Sequence, residues 1–153
     1  MKHFVKKEEL ETKEHVQFYD ITESIRLIIQ KSEIKNGHVL IQPLHTTVGI
    51  YVNEGELRLL QDFIMYLDRK VPQIKGRYLH DDIAKRDCPE NEPENAHSHL
   101  KAALYSNPSV SLVLFKGELQ LGKYQRVLFA EFDGPCPRKN KDKRKYLVSI
   151  MGV

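Results

Sequence analysis

Hydrophobic and polar residues alternate in the segment LHTTVGIYVNEGE, from Leu44 to Glu56, in the way typical of a strand. Neighbouring side chains of a strand point to opposite faces, so Val48 and Ile50 share an apolar face. His45 and Thr47 fall on the opposite face. We therefore predict a strand whose apolar face packs in the core and whose polar face lines a pocket.

Helical spacing of apolar residues predicts three helices. The first is predicted to follow an Asp20 cap and to run to about Ile34. The second follows an Asn53 cap and ends at Pro72, and the third follows an Asn95 cap. The C-terminal third is predicted to be a β meander and, after a basic loop, a last strand. This order of elements indicates an α+β fold.

The overall composition agrees with one globular domain spanning residues 1–153, because 41% of the residues are hydrophobic and 29% are charged. The net charge of +3 is too small to indicate binding to nucleic acid. No segment approaches the roughly 20 apolar residues that cross a bilayer, and the N-terminal residues do not resemble a signal peptide. The two cysteines form no metal-type pair. We expect a soluble cytoplasmic protein without a membrane partner.

Positive charge is concentrated in the segment 137–145, PRKNKDKRK. Lysine and arginine supply charge together with several hydrogen-bond donors, which suits phosphate. This segment is either a solvated loop or an anion-binding loop for a small phosphate-bearing substrate. In the second case Arg138 and Lys139 are its candidate phosphate-binding residues.

Histidines from distant segments, together with one glutamate, form a candidate metal site. Glu131 shares a strand face with Val127 and Phe129, and a glutamate there costs free energy unless a partner pairs with it. Imidazole and carboxylate groups suit a divalent metal such as zinc or magnesium. Each histidine taken singly could equally be a hydrogen-bonded core or surface residue. The candidate ligands are His45, His80, His99 and Glu131.

The pair His97 and His99 cannot both face one site, because residues two apart on a helix point about 200° apart. His99 lies on the stripe of small residues predicted to pack inward, so it is favoured over His97. The chain contains no P-loop and no G-x-G-x-x-G motif, so no nucleotide cofactor is expected. It also lacks the G-x-S-x-G turn of serine hydrolases.

Three motifs in order, HTTVGIYVNE, NAHSHLKAAL and GELQLGKYQRVLFAEFDGP, resemble the YjbQ-like family of small proteins over nearly the whole chain. The resemblance implies an α+β subunit built around a β-sandwich of mixed or antiparallel sheets, assembled as a homotrimer. It also implies a secondary thiamine-phosphate synthase activity. In that reaction a pyrimidine-methyl pyrophosphate is joined to a thiazole phosphate and pyrophosphate is released.

The same resemblance implies roles for the recurring polar positions of the family. The candidate catalytic residues are Asn53, Glu54, Asp81 and Gln125. The candidate substrate-binding and phosphate-binding residues are Thr46, Asn95 and Arg138, to which the basic segment adds Lys139.

Two other classes of function are also compatible with the sequence. The chain could be a non-catalytic module that binds a small anion or a metal. Alternatively, the polar residues could satisfy hydrogen bonds across the interfaces of a structural trimer.

Overall fold

The computed structural model describes residues 1–138 and 142–153. In the described residues the elements are, in chain order, β1 (Lys2–Leu10), β2 (Gln17–Asp20), α1 (Thr22–Ser32), β3 (Gly37–Pro43), β4 (Val48–Glu54), α2 (Leu57–Lys70), α3 (Ala96–Tyr105), β5 (Val110–Phe115), β6 (Glu118–Leu119), β7 (Gln125–Glu131) and β8 (Arg144–Gly152). Two short 3-10 turns, Leu79–Asp81 and Ile83–Lys85, lie in the connection between α2 and α3.

Two antiparallel sheets form the framework. The larger has the strand order β1-β8-β3-β5-β6, and the smaller has the order β2-β7-β4. Together with the three helices, this arrangement confirms the predicted α+β fold with antiparallel sheets. None of the helices in the described part is long and apolar enough to span a membrane.

The main core lies between the two sheets and against α1. Ile25 of α1, Phe129 of β7 and Val148 of β8 are fully buried in it. A second cluster on the other face of the smaller sheet joins Ala130 of β7 to Leu67 of α2, and also includes Ala102 of α3. From Val127 onward, strand β7 is therefore buried on both faces. The charged residue at its C-terminal end, Glu131, cannot reach water.

The predicted polar strand face is interrupted, because β3 ends at Pro43 and β4 begins only at Val48. His45 therefore lies in the connection between the two strands. In β4, Gly49 faces the end of α3, where an added Cβ would lie 1.8 Å from Ser106 Oγ. Gly49 therefore packs against α3, whereas His45 and Tyr51, predicted on the same face, line two different pockets.

The helix boundaries follow local hydrogen bonds. Helix α2 begins at Leu57 because the Glu56 carboxylate accepts the backbone N–H groups of Arg58 and Leu59, each at 2.9 Å. The predicted Asn53 cap is wrong, since Asn53 belongs to β4.

Helix α1 ends at Ser32, slightly earlier than predicted. The next residue, Glu33, has a φ of 57°, a left-handed conformation that ends the helix. Ile34 lies beyond the helix but is still buried in the main core.

Candidate functional site

A buried ion pair between Glu131 and Arg144 lies at the end of β7. The Glu131 side chain is 0% exposed, and Arg144 contacts it through two bonds, Nε to Oε2 at 2.6 Å and Nη2 to Oε1 at 2.8 Å. The Thr12 hydroxyl donates to Oε2 at 2.8 Å, and the backbone N–H of Asp133 donates to Oε1 at 2.9 Å. Each carboxylate oxygen thus accepts two hydrogen bonds, which offsets the cost of burying the charge.

Asp133 joins the start of α3 to the segment after β7. Its carboxylate accepts a hydrogen bond from Asn95 Nδ2 at 2.7 Å and pairs with Arg138 Nη2 at 2.6 Å. Arg138 also donates to the backbone carbonyl of Asp133. Asn95 precedes α3 as predicted, but it binds Asp133 and does not cap the helix.

Asp81 supplies the cap that Asn95 does not. Its Oδ1 accepts the backbone N–H of Ala96, the first residue of α3, at 2.9 Å. A carboxylate at this position satisfies a helix N–H and interacts favourably with the positive end of the helix dipole.

The ring of His45 is oriented by the main chain. Its Nε2 lies 2.9 Å from the backbone nitrogen of Lys145. Because a backbone N–H can only donate, Nε2 must accept, and the neutral ring carries its proton on Nδ1. Burial lowers the pKa of His45, and the nearby positive charge of Arg144 lowers it further.

A cleft of about 800 Å³ opens beside this network, and we call it the arginine cleft. It is lined by His45, Arg138 and Arg144, and the acidic residues Glu92 and Asp142 also line it. A carboxylate holds one side of each guanidinium, and Nη1 of each arginine makes no hydrogen bond to a described residue. These N–H groups are available to an anionic ligand.

His80 and His99 form a separate pair. Their ring centroids are 4.8 Å apart in an edge-to-face arrangement. Burial lowers the pKa of His99, and the neighbouring His80 lowers it further. The backbone carbonyl of His80 accepts a hydrogen bond from Arg86 Nη1 at 2.7 Å, which ties the connection before α3 together.

The four predicted metal ligands are divided between these two places. His80 lies with His99, whereas His45 and Glu131 lie near Arg144. Both Glu131 oxygens are engaged by hydrogen-bond donors. Among the residues that the structure describes, no three His, Cys, Asp or Glu side chains are grouped as metal ligands. Metal binding stays a prediction.

Three predicted catalytic residues lie at the opposite end of the smaller sheet. Glu54 pairs with Gln125 and Asn53 is its neighbour, whereas Val48 pairs with Glu131 at the other end of the same two strands. Glu131 is six positions after Gln125 on β7, a distance of about 20 Å at the usual rise of a strand. Within one chain, these three residues do not join the arginine cleft.

The predicted phosphate-binding residues have different surroundings. Arg138 lines the cleft. Asn95 is linked to Arg138 because both bind the carboxylate of Asp133. Thr46 is exposed in the connection between β3 and β4. Lys139 lies outside the described residues.

The sequence interpretation missed Arg144 as the partner of Glu131. A glutamate on an apolar strand face signalled that a partner was required. Six basic residues between 137 and 145 could each have served. Glu131 and Arg144 belong to different sheets, so the packing of the two sheets selects the partner.

A second missed feature is the contact between His15 and His97, whose Nε2 atoms are 2.9 Å apart. His15 Nδ1 faces the Gly134 carbonyl at 3.3 Å, so it carries the His15 proton and His97 Nε2 donates to His15. His97 is 1% exposed whereas His99 is half-buried, so the prediction that His99 is the inward-facing residue is wrong.

The fold and the site define a small α+β domain with a buried carboxylate–arginine network beside a cleft. The chain belongs to the YjbQ-like family, because the profile described as "UPF0047 protein YjbQ-like" matches residues 6–153. The resemblance inferred from the three motifs is thereby confirmed.

Individual relatives agree with this assignment. A UPF0047 protein of Archaeoglobus fulgidus is 39% identical over 130 residues, which cover 85% of this chain and 92% of that protein. YugU of Bacillus subtilis, also a UPF0047 protein, is 27% identical over 131 residues, covering 85% of this chain and 90% of that protein.

Solved structures show the same fold. A YbjQ-like protein of unknown function from Sulfolobus solfataricus has a TM-score of 0.78 at 28% identity, covering 99% of each chain. An uncharacterised YjbQ/UPF0047 protein from Clostridium acetobutylicum has a TM-score of 0.77 at 30% identity, covering 99% of this chain and 100% of that one. These similarities establish family and fold, and the names do not state an activity.

Proposed function

We propose that this protein is an enzyme that binds a small phosphorylated substrate in the arginine cleft. The observation that carries the proposal is the pair of guanidinium groups, Arg138 and Arg144, held by Asp133 and Glu131 at the edge of one cleft. A planar guanidinium matches two phosphate oxygens, and a donor already held in place needs little reorganisation when the ligand binds. The volume of the cleft suits a small molecule.

The particular reaction that we propose is the secondary thiamine-phosphate synthase activity. The thiazole nitrogen attacks the methylene carbon of the pyrimidine-methyl pyrophosphate, a C–N bond forms, and the C–O bond to pyrophosphate breaks. The pyrophosphate leaves with the electron pair of that bond. Arg138 and Arg144 are oriented to offset the negative charge that develops on the leaving group.

A divalent cation remains part of the proposal. His80 and His99 would hold it, since their rings already lie together. When bound, such a cation supplies additional positive charge for a pyrophosphate group.

The test is release of pyrophosphate from the two substrates, measured in an assay coupled to a pyrophosphatase. We expect turnover by the wild-type protein and a loss of about tenfold or more in Arg138→Gln, because a hydrogen bond to a charged group is removed. Arg58→Gln is the matched control, since Arg58 is exposed on α2. Equal activity in both variants would contradict the role of the arginine cleft.

A non-catalytic anion-binding module is the second candidate function. The observation that favours it is the separation of Asn53, Glu54 and Gln125 from Glu131 along the smaller sheet. Calorimetric binding of pyrophosphate that depends on Arg138, without turnover of the two substrates, would support this alternative.

The homotrimer and the cytoplasmic location also stay proposals. Sedimentation equilibrium measures the assembly directly. A single species with three times the mass of the chain is the expected result.

A further inference from the structure

We propose that His45 donates a hydrogen bond from Nδ1 to the anion in the arginine cleft. In this role His45 is neither a metal ligand nor a general base. This inference rests on the proposed function and specifies how that site recognises its ligand. It starts from the ring orientation, in which Nε2 accepts the Lys145 backbone N–H at 2.9 Å. The proton of the neutral ring is therefore on Nδ1, the nitrogen left for a ligand in the cleft that His45 lines.

Metal binding through Nδ1 is incompatible with this hydrogen bond. A neutral imidazole that coordinates a metal through Nδ1 carries its proton on Nε2. Two N–H groups, from His45 and Lys145, would then face each other at 2.9 Å. The hydrogen bond would be lost and two positive dipole ends would be opposed.

The backbone bond also links His45 to the arginine network. Lys145 follows Arg144 at the start of β8, and Arg144 is bound to Glu131 through two bonds. A shift of Lys145 that accommodated a different ring tautomer would therefore move the backbone that positions Arg144. The existing tautomer is the one that this network supports.

The ligand class follows from the groups that face the cleft. Arg138 and Arg144 offer charged N–H donors, and His45 offers a neutral one. Three donors from separate elements fit a ligand with several acceptor oxygens, such as a pyrophosphate group. A neutral donor adds a directional contact without adding charge.

Two substitutions separate the two nitrogens of His45. In His45→Gln the amide oxygen reaches the position of Nε2 and can still accept the Lys145 N–H, but the donor at Nδ1 is lost. In His45→Asn the amide nitrogen reaches the position of Nδ1 and can donate to the ligand, but the acceptor for Lys145 is lost.

We expect His45→Gln mainly to weaken pyrophosphate binding and His45→Asn mainly to lower stability. The Gln variant should keep a near wild-type unfolding midpoint and bind pyrophosphate about three- to tenfold more weakly, the value of one lost hydrogen bond. The Asn variant should unfold more readily and bind pyrophosphate more tightly than the Gln variant. Binding is measured calorimetrically in the presence of a chelator.

Nitrogen-15 NMR of the histidine rings supplies a readout that does not depend on any activity. We expect the His45 spectrum of a protonated Nδ1 and a bare Nε2, and a shift of the Nδ1 signal on addition of pyrophosphate. A protonated Nε2, or a zinc-induced shift of the His45 ring with loss of the Lys145 hydrogen bond, would overturn the inference.

The binding result separates this inference from the proposed function. Wild-type binding that is unchanged in His45→Gln overturns the inference and leaves the proposed function intact. An absence of pyrophosphate binding in the wild type overturns the proposed function and the ligand role of His45 together, while the NMR spectrum still decides the tautomer.

Discussion

Glu131 illustrates how a buried charge depends on its counter-charge. Its carboxylate is removed from water at the end of a strand that is buried on both faces, and Arg144 neutralises it. Removing one member of such a pair leaves the other charge buried and uncompensated, which costs more than the pair itself contributes.

Glu131→Gln should therefore lower the free energy of unfolding by about 3–5 kcal/mol, because Arg144 loses its counter-charge in the interior. Equilibrium unfolding in urea measures this change. Glu11→Gln is the control, since Glu11 pairs with Lys143 at 2.9 Å on the surface and should change stability little. Wild-type stability in Glu131→Gln would show that the pair is well solvated.

Asp81 has a structural contact that competes with its predicted catalytic role. Its Oδ1 accepts the Ala96 N–H. Asp81→Ala should cost about 1 kcal/mol of stability through loss of the cap, whereas Asp81→Asn keeps an acceptor and should cost less. Unfolding in urea gives the stabilities. Loss of turnover in the stable Asn variant would indicate a chemical role in addition to capping.

Packing between elements explains the glycine in the otherwise regular strand β4. Gly49 lies against the end of α3, where Ser106 donates to the carbonyl of Ala102 at 2.6 Å. The neighbouring backbone forms a bridge, in which the Ile50 N–H donates to the Asn107 carbonyl at 2.9 Å. A side chain at Gly49 would separate α3 from the smaller sheet.

Gly49→Ala should destabilise the protein by about 1–3 kcal/mol, the range for overpacking a tight contact. Adding Ser106→Gly should recover part of this loss, because the clashing atoms are the Cβ and Oγ of Ser106. Unfolding of the two single variants and the double variant measures the coupling.

Gly55→Ala provides the matched control, since a Cβ there meets the flexible Arg126 side chain first, at 3.3 Å. Additive effects of Gly49→Ala and Ser106→Gly would contradict the contact. A loss in Gly55→Ala as large as that in Gly49→Ala would also contradict it.

Histidines from separate segments of the chain together couple the stability of the protein to pH. Burial is the largest cause that lowers the pKa of His45, His97 and His99 below the ordinary value of 6.5. For His97 the positive charge of Lys101 and the adjacent His15 act in the same direction, and Asp133 opposes them. The folded protein therefore favours the neutral rings.

Stability from these histidines should be fully present above about pH 6.5 and should fall as the pH decreases below it, because the unfolded chain takes up protons first. The decrease should end once the pH is below the pKa values of the folded state. Thermal unfolding from about pH 8 to about pH 5 measures this dependence. Substituting His97 with leucine should make stability depend less steeply on pH, and an unchanged dependence would contradict the role of His97.

The features that could be predicted from the amino-acid sequence are those that depend on local periodicity and on familiar motifs. The repeat of apolar residues predicted three helices and a β-rich C-terminal part, and the motifs identified the YjbQ-like family. The sequence also showed that Glu131 needs a partner, because the cost of burying a charge follows from its position on an apolar strand face.

Which distant groups meet becomes visible only in the folded chain. It selected Arg144 as the partner of Glu131, paired His15 with His97, and separated Gln125 from the arginine cleft. Such contacts depend on strand register and on the packing of helices against sheets, so residues far apart in the chain carry no local signal for them. The spacing of residues along one strand can be inferred from the local sequence. The residue that contacts them from another strand or sheet cannot be.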